Sequence, residues 1–147
     1  MPYIKIWIHL IWSTKNRYPF LKKELRAKVI SHIRKNAIEK GIHIDFINGF
    51  DDHLHTLVSL KADQSVAKVA QLLKGESSHW VNKNQLIHNK FGWQEEYIAV
   101  SISHSAVNKV GEYIKNQEEH HRKKTFTEEY QLFIKKYGFE ISGKTRD

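Results

Sequence analysis

The chain has 147 residues, 40% of them hydrophobic, no cysteine and a formal net charge of +8. A chain of this length builds one hydrophobic core, so a single domain across residues 1–147 is expected. The missing thiol excludes disulfides, thiolate zinc sites, iron–sulfur clusters and cysteine nucleophiles, and leaves His, carboxylate and amide groups to bind any metal.

No apolar run approaches the roughly 18 residues that span a bilayer, and the amino terminus lacks the basic, apolar and small-residue zones of a signal peptide. A cytoplasmic protein with no membrane association is therefore expected. The charge is uneven: residues 1–40 hold ten Lys or Arg against Glu24 and Glu39, which accounts for the whole +8. Such a segment attracts polyanions through its field and by counterion release from phosphates. Nucleic acid leads the partners on this ground, with a solvated helix face as the plain alternative.

Tyr3 to Ser13 sets Ile4, Ile6, Ile8 and Leu10 on one face at period two, with Trp7 and Ile11 on the other, which predicts a central strand covered on both sides. From Lys22 to Lys40 the apolar step changes to four, through Leu25, Val29, Ile33 and Ala37, and Gly41 closes the amphipathic helix. Ile42, Ile44 and Phe46 alternate, turn residues occupy 48–52, and Leu54, Thr56, Val58 and Leu60 alternate again, so residues 42–60 read as a hairpin. Ser65 can cap a second helix running to about Asn82, with Gly75 as a weak point, and residues 83–96 read as an irregular connection.

Tyr97 to Ser103 predicts a fourth strand, Ser105 to about Arg122 a third helix, and Thr125 to Tyr137 a short fourth one. The order strand–helix–strand–strand–helix–strand predicts an α+β, ferredoxin-like βαββαβ fold. Its antiparallel sheet places the first and third strands in the middle.

The chemistry-bearing residues cluster on the third strand and the third helix. A two-residue step puts His53 and His55 on one strand face, roughly 6 to 7 Å apart at the backbone, so both imidazoles can reach one ion. Alone, such a pair is a weak signal. Tyr113 and Gln117 stand four apart on the third helix and share a face, with His120 and His121 beyond. If that face meets the histidine pair, a phenol stands beside a cation, which a group with a pKa of about 10 needs in order to attack phosphorus near neutral pH. The plain reading of Tyr113 is a core or rim residue beside Val107, Val110 and Ile114, and that of Gln117 a solvated one. A histidine-triad hydrolase would need a third His where Leu57 stands, and neither a HExxH helix nor a phosphate-cradling glycine loop is present.

Together the residues carry a resemblance. Trp12-Ser13-Thr14-Lys15-Asn16-Arg17 follows the first strand, Asp52-His53-Leu54-His55 lies on the third, Leu73-Lys74-Gly75-Glu76-Ser77-Ser78 on the second helix, and Tyr113-Ile114-Lys115-Asn116-Gln117 on the third helix. From about Tyr3 to Tyr137 the chain resembles the single-tyrosine HUH transposases of the smallest bacterial insertion sequences, the IS200-like family. The resemblance implies a metal-dependent single-stranded DNA endonuclease and strand transferase with an added catalytic helix. His53, His55 and Gln117 would bind Mg²⁺ or Mn²⁺, and Tyr113 would form a 5′-phosphotyrosine. It also implies a homodimer that recognises DNA hairpins at the element's ends. Imidazole ligands suit Zn²⁺ or Mn²⁺ better than Mg²⁺, which prefers oxygen and retains its waters.

His120 either joins the ligands or contacts DNA. Lys15, Arg17, Lys74 and Arg122 are the expected DNA contacts, with Trp12 and Trp80 as candidate stacking surfaces and core packing the competing role for Trp12. Competing functions are a domesticated relative acting on repetitive extragenic palindromes, a non-catalytic nucleic-acid-binding module, and a phosphoesterase that uses water as nucleophile.

Overall fold

Alternating apolar residues in four segments build the sheet that everything else is mounted on. The computed structural model describes residues 2–138. Strands β1 (Trp7–Ser13), β2 (His43–Phe50), β3 (His53–Ser59) and β4 (Ile98–Ile102) form one antiparallel sheet in the order β2-β3-β1-β4. This is the ferredoxin-like order, with the first and third strands central. Helices α1 (Lys23–Glu39), α2 (Val66–Lys83), α3 (Val107–Lys115), α4 (Gln117–His121) and α5 (Phe126–Tyr137) complete the mixed architecture. Among the described residues no helix is long and apolar enough to cross a membrane.

The chain divides into two compact units after Gln117. In the first, Leu10 and Trp12 of β1 and Leu54 and Val58 of β3 pack against Val29, Ile33 and Ala37 of α1 and Val69, Ala70 and Leu73 of α2. Each fully buried Leu, Ile or Val side chain here contributes about 1.5–3 kcal/mol. The Ser65 hydroxyl accepts the Lys68 N–H at 3.1 Å and so starts α2, which runs through Gly75 unbroken. The second unit holds the rest of α4 and all of α5. Thr125 and Glu128 form a reciprocal capping box at the start of α5, and the Thr125 backbone N–H holds the Glu128 carboxyl below its ordinary range.

Three elements differ from the sequence expectation. The first strand begins at Trp7 rather than Tyr3, because its partners end at Ser59 and Ile102, leaving Tyr3, Ile4 and Ile6 exposed. In β2 a bulge between Ile44 and Phe46 breaks the expected alternation. Ile44 pairs with Val58 and Phe46 with Leu57, so Phe46 turns to the face opposite Ile44.

The helix expected over 105–122 is three pieces: a 3-10 turn at His104–Ala106, then α3, then α4. Asn116 departs from helical geometry, and the Asn48 side-chain amide donates to the Lys115 carbonyl at 2.9 Å. A continuous helix would give that carbonyl to the N–H of Glu119.

α3 lies on the face to which Phe46 turns. A Cβ on Gly111 would stand 2.5 Å from two carbons of the Phe46 ring, so only glycine lets the helix settle there. Gly111→Ala is expected to destabilise the protein by about 1–3 kcal/mol through overpacking, which outweighs the gain of about 1 kcal/mol in helix propensity. Adding Phe46→Leu should recover part of the loss, as read from urea denaturation midpoints.

Candidate active site

The pleat of β3 decides what the site contains. Leu54 points into the α1/α2 core, so His53 and His55 point to the face that carries α3, and both imidazoles are fully buried. Their ring centroids are 5.1 Å apart, and one nitrogen of each lies within 4.8 Å of the other. α3 brings Tyr113 edge-on to His55, with 5.5 Å between centroids. Gln117, also buried, reaches His53: its Oε1 stands 3.1 Å from His53 Nε2. The expected union of His53, His55, Tyr113 and Gln117 is thus present within one chain.

The hydrogen-bond partners fix what each ring can offer. His53 Nδ1 donates to the Asp52 carboxylate at 2.8 Å, which leaves the Nε2 of a neutral ring as a lone pair. The Gln117 amide is oriented by its own Nε2, which donates to the Tyr113 carbonyl at 3.3 Å, so its oxygen faces that same lone pair. Two acceptors 3.1 Å apart in a buried site repel unless a proton or a cation lies between them. A spacing of about 3 Å is also that of neighbouring donors on an ion that bonds each at about 2.1 Å. Imidazole nitrogen together with amide oxygen fits a borderline divalent ion, and on this observation the residues fit a metal.

Two further residues belong to the cluster and were not assigned from the sequence. Asp52 supports His53, as described. His9, buried on β1, places its Nε2 2.9 Å from His55 Nδ1, and its ring is 6.3 Å from that of Tyr113. Burial, and secondly the neighbouring His55, hold His9 well below the ordinary histidine pKa, so it is neutral. The signal for His9 was its phase: it shares a face with Ile11, opposite Ile8 and Leu10, and once β1 and β3 are adjacent that face is the one His55 occupies.

The basic residues divide by role. Lys15 is exposed and Arg17 half-buried on a 3-10 turn after β1, where Asn16 and Arg17 adopt left-handed backbone angles. Lys74 donates to the carbonyls of Glu95 and Glu96 at 2.9 and 3.4 Å and lies over the Tyr97 ring, tying the 84–97 connection to α2. Burial lowers its pKa, partly offset by Glu95 and Glu96.

Lys22 and Arg26, from the basic amino-terminal segment, pair with Asp51 at 2.8 and 3.3 Å. Arg122 is exposed and pairs with Glu119, while in the same unit His120 and His121 both face Glu129. Trp12 is 1% exposed, with an indole N–H that finds no acceptor, so it is core rather than a stacking surface. One face of Trp80 is taken by His32, stacked at 4.0 Å.

Known proteins share this arrangement of chain. The family model described as "Transposase IS200 like" matches residues 3–117. A relative, the ISDra2 transposase TnpA of Deinococcus radiodurans, is 27% identical over 114 residues, which cover 74% of this chain and 81% of that protein.

Two solved structures share the fold. One is a protein of Deinococcus radiodurans R1 provisionally assigned as a transposase, with a TM-score of 0.65 and 22% identity over 79% of this chain and 93% of that one. The other is the REP-associated tyrosine transposase bound to a REP hairpin, with a TM-score of 0.63 and 17% identity over 82% and 72% of the two chains. The family match spans the sheet, the histidine pair and the tyrosine helix together, and the chain belongs to the IS200-like transposase family.

Proposed function

We propose that the protein cuts and rejoins single-stranded DNA at hairpin-marked ends, with Tyr113 as nucleophile and His53, His55 and Gln117 as ligands of Mg²⁺ or Mn²⁺. The observation that carries this reading is the meeting of the Tyr113 ring with the buried histidine pair inside one chain. A structural tyrosine does not require two buried imidazoles beside it and an amide oxygen 3.1 Å from one of them.

When bound, the ion supplies charge neutralisation at a phosphate oxygen and a field that favours the phenolate. The Tyr113 oxygen attacks phosphorus, the bond to the 3′ oxygen breaks, and that oxygen leaves as a 3′-hydroxyl. The 5′ side stays on the tyrosine as a phosphodiester. A 3′-hydroxyl attacking this phosphotyrosine reverses the exchange and joins the new ends, so bond energy is kept and no nucleotide is consumed. Asp52 holds the His53 ring in place, and the Tyr113 carbonyl holds the Gln117 amide.

Lys15, Arg17, Lys74 and Arg122 are assigned to DNA phosphates, and the exposure of Lys15 and Arg122 supports those two most directly. We take residues 1–147 as one functional domain, acting in the cytoplasm as a homodimer. A hairpin partner is supported by the structural neighbour solved with a REP hairpin. The same neighbour supports the second reading, a domesticated relative acting on repetitive palindromes with identical chemistry.

With 3′-labelled single-stranded hairpin DNA and Mn²⁺, the wild-type protein should form an adduct that survives denaturation. Tyr113→Phe should lower the adduct by on the order of 10³-fold or more. Cleavage that persists undiminished in Tyr113→Phe would identify water as the nucleophile and reject this mechanism. Independently, Mn²⁺ at about 100 times its Kd should stabilise the wild type by about 2.7 kcal/mol. Both His53→Ala and His55→Ala should abolish that gain, measured by urea denaturation with and without a chelator.

A further inference from the structure

A ligating histidine must be told which nitrogen to offer. The ring of a neutral imidazole carries its proton on one nitrogen and a lone pair on the other, and in a buried site the proton needs an acceptor of its own. For His53 that acceptor is the Asp52 carboxylate. The Nδ1 of His55 instead meets the Nε2 of a third imidazole, His9, at 2.9 Å, and all three rings are buried.

We propose that His9 is a positioning residue: by accepting the Nδ1 proton of His55 at its own Nε2, it locks His55 in the Nδ1–H tautomer and leaves His55 Nε2 as the lone pair offered to the site. The inference deepens the reading of His53, His55 and Gln117 as metal ligands and rests on it for its consequence.

The strands determine the contact. Ile11 pairs with His55 and His9 with Leu57, so His9 sits diagonally across the two central strands, one pleat along on the same face. A diagonal neighbour is within reach of a long or aromatic side chain, and the rigid register keeps the two rings together without further ordering cost. Tyr113 closes the arrangement, its ring edge-on to both His55 and His9. The two ligands are thereby supported by different groups, His53 by a carboxylate and His55 by a second imidazole. The support adds no second negative charge where a phosphodiester must approach.

The tautomer can be read without any metal. Long-range ¹H–¹⁵N spectra of the metal-free protein should show His55 as the Nδ1–H form, and His9→Leu should shift it toward Nε2–H, while His9→Gln, whose amide oxygen still accepts, should keep it. Mn²⁺ affinity by titration calorimetry should fall about 10–100-fold in His9→Leu. His9→Gln should recover most of that loss.

Circular dichroism checks that each variant is folded, and if His9→Leu is not, the wild-type spectrum and His9→Gln still decide. A wild-type His55 in the Nε2–H form overturns the inference, as does a folded His9→Leu protein with unchanged tautomer and unchanged Mn²⁺ affinity. A His55 tautomer that behaves as stated in a wild type that binds no Mn²⁺ upholds the role of His9 and rejects the metal reading instead.

Discussion

The antiparallel register of the two central strands is the constraint on which the site depends. With Ser13 opposite His53 and Trp7 opposite Ser59, every odd-numbered residue of β1 and β3 faces α3 and every even one faces α1 and α2. A slip of one residue would turn Leu54 and Trp12 out of the core and the imidazoles into it. The apolar half of the sheet therefore enforces the placement of the polar half, and the aliphatic packing of Leu10, Leu54 and Val58 specifies the chemistry on the other side.

Burying three imidazoles and an amide is costly unless each polar atom is answered, because an unpaired polar group in a protein interior costs about 1–3 kcal/mol by mutational measures. Three contacts answer it: Asp52 to His53, the Tyr113 carbonyl to the Gln117 amide, and His9 to His55. The link between His53 and Gln117 differs in kind, because it joins two acceptors.

Much of this was legible in the sequence. Period-two patterning revealed the strands and their order, and the spacings His53–His55 and Tyr113–Gln117 carried both the family resemblance and the expected cluster. What escaped was set by contacts between distant segments. The bulge at Asp45 is invisible to a pattern of Ile44 and Phe46 that looks continuous, and His9 acquires meaning only once β1 lies beside β3. Lys74 also donates to the carbonyls of Glu95 and Glu96, a partnership between helix and loop that charge counting cannot foresee. The basic excess is likewise smaller in effect than in number, since Asp51 engages Lys22 and Arg26.

The stop at Asn116 has a mechanical meaning. A helix transmits bending and twist along its hydrogen-bond ladder, and here the ladder is cut just beyond the tyrosine, with the loose rung, the Lys115 carbonyl, pinned by Asn48 to the sheet. The nine-residue segment that bears Tyr113 thus takes its bearing from β2, through Asn48, Phe46 and the side-chain-free notch at Gly111. The bearing of the phenol on the imidazoles is therefore set by the sheet itself, inside the unit that ends at Gln117.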